Sequence, residues 1–137
     1  MKKLVWNKDY SVGVEKFDSQ HQHLFDITNK MIDCQDSLNT QIIANTLSEM
    51  IKYAREHFAE EEILMNQYNY PDTKTHTQQH DYFINTTAEL AMGYMDNQNT
   101  TGMEIVEFLV LWLKNHILKT DMKYKEFFRS KILCSQP

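Results

Sequence analysis

The stretch HFAEEEILM, residues 57–65, puts an imidazole and a carboxylate where a helix should bury apolar side chains. His57 and Glu61 are four residues apart, so on a helix their side chains meet on one face. HTQQH repeats the spacing with His76 and His80, while His21 lies in DSQHQHLF, and LWLKNHILKTD carries His116 and ends at Asp121. A buried carboxylate without compensation costs several kcal/mol or is forced to protonate. Imidazoles cannot cheaply supply the missing charge, because a buried imidazolium is penalised too. A metal centre answers both problems: neutral imidazoles become ligands and carboxylates meet a cation. Taken singly, an inward histidine is more often a hydrogen-bonded core residue. Taken jointly, five imidazoles and two carboxylates exceed the needs of one ion and suit two ions sharing bridging carboxylates. Such nitrogen-rich ligation fits iron, zinc or copper.

Those residues need helices to carry them. The chain breaks at CQDSLNT (34–40), NQYNYPDTKT (66–75) and DNQNTTG (96–102), leaving four segments of helical periodicity at about 18–37, 40–66, 73–96 and 103–131. In the second, Ile43, Leu47, Met50, Ala54, His57, Glu61, Leu64 and Tyr68 step by alternating fours and threes, a packing seam. In the third, His76, His80, Phe83, Thr87, Leu90 and Tyr94 keep the rhythm, as do Phe17, His21, Leu24, Thr28 and Met31 in the first. The fourth has two adjacent rows: Ile105, Leu109, Trp112 and His116, then Leu113, Ile117, Asp121, Tyr124 and Phe128. His116 and Asp121 are five apart, about 140° round a helix that turns about 100° per residue. Asp121 reaches the level of His116 either by leaning toward the N-terminus or through a local π-type expansion. The sequence leaves both routes open.

Residues 1–137 read as one domain, with an arm over about 1–17 carrying Trp6, Tyr10 and Val12. With 42% hydrophobic residues and only 3 Gly and 2 Pro, the chain suits a helical globular domain rather than a disordered or turn-rich one. A formal charge of -5 gives no basic footprint for nucleic acid. No stretch approaches the roughly 20 apolar residues of a membrane span, and the apolar run after MKK is too short for a signal peptide. The expected location is cytoplasmic. Cys34 and Cys134 are two isolated thiols, not a disulfide framework. Met31 and Met65 are expected to fill core gaps. Lys119, Lys123, Lys125, Arg129 and Lys131 are expected on a solvated face that complements the helix dipole.

The four motifs, in their order and with the aromatic-bearing arm before them, resemble those of bacterial hemerythrins over the whole chain. The resemblance implies an all-α, up-down-up-down four-helix bundle around a non-haem di-iron site that binds dioxygen reversibly. By that resemblance His76, His80 and His116 hold one iron, and His21 and His57 hold the other, which keeps an open position. Glu61 and Asp121 bridge the two ions together with a solvent-derived oxide or hydroxide. Leu24, Phe58, Trp112, Leu113 and Ile117 lie near ligands in sequence and are the candidate walls of the ligand pocket. His23, Glu60 and Glu62 are expected on solvated faces.

The implied activity is oxygen storage, delivery or scavenging, not catalysis, with dioxygen as ligand and small anions such as azide binding the ferric form. No particular protein partner is implied. Two other classes remain: oxygen or redox sensing through a separate signalling partner, and a di-iron enzyme handling peroxide or nitric oxide. Oxidising di-iron sites draw on glutamates and Glu-x-x-His pairs. No such pair occupies an inner face here, and five histidines favour binding over activation.

Overall fold

In the computed structural model, residues 1–96 and 100–134 are described, and helices are the only regular elements among them. The helices are α1 (Glu15–Asp33), α2 (Thr40–Gln67), α3 (Thr73–Met95), α4 (Gly102–Asn115) and α5 (Met122–Cys134). A π-helical segment, His116–Asp121, joins α4 to α5, so the fourth rod of the bundle is continuous. The short connections make successive helices antiparallel neighbours, giving an up-down-up-down bundle. Of the expected third break, residues 97–99 lie outside the described residues.

Local chemistry sets the helix ends. Asn39 caps α2 by accepting from the Ile42 amide at 3.0 Å, and Thr101 caps α4 by accepting from Glu104 at 3.1 Å. At the far end of α2, Asn69 turns left-handed with φ 56°. Asparagine tolerates that conformation. The Tyr70 amide then reaches back to the Met65 carbonyl at 2.9 Å and the Asn69 amide to Asn66 at 3.3 Å. This is a Schellman motif, and its usual apolar contact is present because Tyr70 and Met65 share one cluster. The chain turns sharply there and sends α3 back along α2.

α1 begins at Glu15, three residues before the periodicity suggests, and stops at Asp33, with a 3-10 turn over Gln35–Ser37 in place of its expected last turn. The early start has a cause in the arm. The Asp18 carboxylate accepts from the Val12 amide at 2.8 Å and from the Ser11 hydroxyl at 2.6 Å. Gly13, at φ 77°, supplies the left-handed turn between them. Further back, Asn29 holds Leu4 through both of its backbone groups.

The core is not continuous. A large apolar cluster runs from Leu4 and Ile43 to Phe58, Leu113 and Ile117. A smaller one holds Val12, Phe17, Met65, Tyr70, Tyr124 and Phe128. Between them sits a layer of buried polar side chains, set there by the same four-three periodicity that builds both clusters. Among the described residues no helix is long and apolar enough to cross a membrane.

Candidate metal centre

Each rod contributes its share of that polar layer. α1 supplies His21, α2 supplies His57 and Glu61, α3 supplies His76 and His80, and the π segment supplies His116 and Asp121. All seven are buried, none more than 4% exposed. The π segment explains how the last two converge. In α-helical winding they would diverge by about 140°, whereas i→i+5 winding brings residues five apart onto one face. Of the two routes the sequence left open, the structure takes the π expansion, and His116 Nε2 lies 3.0 Å from Asp121 Oδ1.

The seven side chains fall into two overlapping groups of candidate donors: Glu61, His76, His80, His116 and Asp121, and then His21, His57 and Glu61. Asp121 faces both. Its Oδ1 lies 2.9 Å from His76 Nε2, and its Oδ2 lies 3.0 Å from His21 Nε2. Glu61 Oε1 stands 3.2 Å from His57 Nε2 and 3.3 Å from His80 Nε2, with Oε2 turned toward His21 at 3.8 Å.

The donors fit a metal because so many are orphaned. His21 Nε2, His57 Nε2, His76 Nε2, Glu61 Oε1 and both oxygens of Asp121 are buried without a hydrogen-bond partner. Buried polar groups are ordinarily paired, and each unpaired one carries a desolvation penalty of about 1–3 kcal/mol. His80 Nε2 faces His116 Nε2 at 3.2 Å. The Nδ1 atom of each of those rings is engaged outward, at Glu62 and Gln79, so both Nε2 atoms are directed into the cage, where a cation would ligate them in place of one another.

Electrostatics agree. Burial and the neighbouring Asp121 push Glu61 up, but His57 and His80 beside it hold it well below the usual carboxylate range. Burial pushes Asp121 up as well, and His116, His21 and His76 hold it well below its usual value. Burial pulls His80 down, yet Glu61 and Glu62 push it up to about 9. Burial wins at His116, which is lowered. The two carboxylates are held low by the imidazoles around them, and a resident cation would act in the same sense.

Other candidates stand elsewhere. His23 is half-buried and lies against Tyr53, ring centroids 4.0 Å apart. Glu60 pairs with Lys16 at 3.0 Å and accepts from Gln20. Glu62 departs from its expected solvated face. It is one residue, about 100°, past Glu61, which aims it at α3, and its Oε2 lies 2.9 Å from His80 Nδ1. Phe58 stacks flat on His80 with centroids 3.8 Å apart, and Trp112 stacks on His116 at 4.3 Å. Leu24, Leu113 and Ile117 are buried in the larger apolar cluster.

Sequence reading missed the groups that grip the cage from outside. Gln20 bonds His57 Nδ1, Gln79 Oε1 accepts from His116 Nδ1 at 3.0 Å and from Thr120 at 2.7 Å, and the Tyr124 hydroxyl donates to Glu61 Oε2. One signal was present: a glutamine stands directly before His21 and before His80. Tyr124 gave none, since its place on the apolar row is also what packing requires. Burial, with Asp121 and Glu61 nearby, raises the Tyr124 phenol well above its usual range, so it stays a neutral donor. Tyr124→Phe should lower the stability of metal-free protein by about 1.5–3 kcal/mol, the range for a hydrogen bond to a charged group. Urea unfolding of both proteins measures this.

The chain is similar to known proteins. The sequence profile described as Hemerythrin HHE cation binding domain matches residues 12–128. A bacteriohemerythrin of Pseudomonas aeruginosa (strain LESB58) is 31% identical over 129 residues, covering 94% of this chain and 84% of that protein. One from Clostridium acetobutylicum is 32% identical over 131 residues, covering 88% of this chain and 98% of its own. A wild-type hemerythrin crystal structure superposes with a TM-score of 0.82 at 29% identity, covering 90% of this chain and 95% of that one.

Proposed function

The chain belongs to the hemerythrin family, and from that premise we propose that it binds dioxygen reversibly at a non-haem di-iron centre. The observation that carries the reading is the convergence of five buried imidazoles and two buried carboxylates whose inward atoms lack partners. His76, His80 and His116 would hold one iron, and His21 and His57 the other. Glu61 and Asp121, each facing histidines of both groups, would serve both ions. Two ferrous ions, with a solvent-derived bridge, would supply an open coordination position and the electrons that dioxygen binding needs.

The chain's own part is to hold that centre and keep water from it. The histidines would enter as neutral donors through Nε2, and the two carboxylates together with a solvent-derived hydroxide would offset most of the metal charge, leaving a small positive remainder that a buried layer tolerates. Leu24, Phe58, Leu113 and Ile117, all buried in the larger cluster, would form the dry wall of the ligand pocket. Trp112, half-buried, closes the His116 side. A nitrogen-rich, partly neutral donor set favours binding over oxidation of a second substrate.

Optical spectroscopy tests this. Anaerobic reduced protein should be nearly colourless, develop a visible charge-transfer band in air, and lose it under argon through repeated cycles. A band that forms once and cannot be reversed, or steady consumption of a reductant, overturns reversible binding.

A further inference from the structure

Three ligand histidines are gripped from outside, and the three grips share one rule. Gln20, one residue before His21 on α1, bonds His57 on α2. Glu62, one residue after Glu61 on α2, bonds His80 on α3 at 2.9 Å. Gln79, one residue before His80 on α3, bonds His116 on the fourth rod at 3.0 Å. Each gripping residue adjoins a ligand of its own helix yet serves the ring of the next.

The alternation of before, after, before follows from helix direction. One step along a helix turns the side chain by about 100°. Because successive rods run antiparallel, a backward step on α1 or α3 rotates in the same sense, seen from one end of the bundle, as a forward step on α2. All three links therefore run the same way round. On the fourth rod the rule selects the residue after His116 or after Asp121, which are Ile117 and Met122, and neither side chain offers an oxygen to accept a hydrogen bond. The link back to α1 is missing accordingly: His21 Nδ1 is buried without a partner.

Each link also fixes a tautomer. Gln20 donates through Nε2 to Glu60, so its Oε1 is the atom left to face His57. Gln79 Oε1 accepts from Thr120 at 2.7 Å, which orients that amide too. Glu62, when ionised, can only accept. In all three rings Nδ1 must then carry the proton, and Nε2 presents its lone pair to the interior.

We propose that Gln20, Glu62 and Gln79 are positioning residues, each setting the tautomer and orientation of the metal-binding histidine on the next helix round the bundle. This rests on the two-metal reading of the cage. Glu62 is the charged member, so His80 is the most strongly polarised donor of the three. Partners of this kind alter metal affinity by roughly 10–100-fold when removed.

The test uses the full chain loaded with zinc, which is diamagnetic, and reads the histidine ring N–H signals by NMR. The parent should show exchange-protected Nδ1–H signals from His57, His80 and His116. Gln20→Ala, Glu62→Ala and Gln79→Ala should each lose the signal of the next helix, His57, His80 and His116 respectively. Gln79→Ala should keep that of His80 on its own helix. Zinc affinity, measured by competition with a chelator, should fall by roughly 10–100-fold in each. Glu62→Gln should restore the His80 signal, because an amide oxygen still accepts. Loss of the same-helix signal, or of none, in folded variants overturns the interlock. A parent binding fewer than two zinc ions overturns the metal reading beneath it, a separate outcome read by native mass spectrometry.

Discussion

His76→Ala is expected to give a protein that assembles poorly with iron and melts at a lower temperature than its parent. His76 Nε2 is buried without a partner, 2.9 Å from Asp121 Oδ1 and 3.9 Å from Glu61 Oε1, so it addresses both carboxylates. Its ring stacks on Tyr124 at 5.6 Å and meets His116 edge-on at 4.8 Å, so truncation also opens the wall between the cage and the smaller apolar cluster. A lost ligand should weaken iron by more than the roughly 10–100-fold seen when a ligand's hydrogen-bond partner is removed. Metal binding is linked to folding, so the iron-loaded protein loses stability with its affinity. His23→Ala is the control. His23 lies beside Tyr53 outside both donor groups and should keep the parent's iron content. Metal analysis and calorimetry of both variants decide. Equal iron loss in His23→Ala would place the wrong face of α1 inward.

Leu113→Ala is expected to fold, to take up oxygen, and to hold it badly. Leu113 is 1% exposed and packs in the apolar cluster that ends at the cage. Truncation leaves a cavity costing about 2–5 kcal/mol, depending on how far the site collapses. An apolar cavity of that kind can stay dry, but one bordering polar groups admits water. We propose that Leu113 covers the open position of the two-histidine iron, so the cavity connects to polar atoms and fills. Conversion to the ferric state and azide binding should both be faster than in the parent. The comparison belongs well below either melting temperature. Unchanged rates with lowered stability would mean that Leu113 only packs the bundle.

The inner faces were legible because a four-three seam tolerates few exceptions, and each charged residue inside one is conspicuous. His57 and Glu61 stood out for that reason, as did His76 and His80. The fourth rod was less legible. Five-residue spacing is compatible with a leaning side chain or with π winding, and only the backbone distinguishes them. Groups one residue off the seam were harder still. A glutamate after Glu61 looks like any solvated glutamate until the neighbouring helix is placed and His80 is found within reach. Helix ends drifted where tertiary contacts intervened, as when Asp18 tied the arm and drew the start of α1 back to Glu15. Trp112 shows a further limit. Its adjacency to a ligand row was readable, but not that it would lie flat on His116.

We propose that these seven side chains form one cage for two ions. Two-metal sites hold their ions roughly 3.5–4 Å apart, a spacing that two bridging carboxylates suit. The metal content of protein expressed with iron, by elemental analysis alongside native mass spectrometry, decides between one ion and two. About two irons per chain, lost together on chelation, is the predicted result. One tightly held zinc per chain, with no iron-dependent colour, would contradict it.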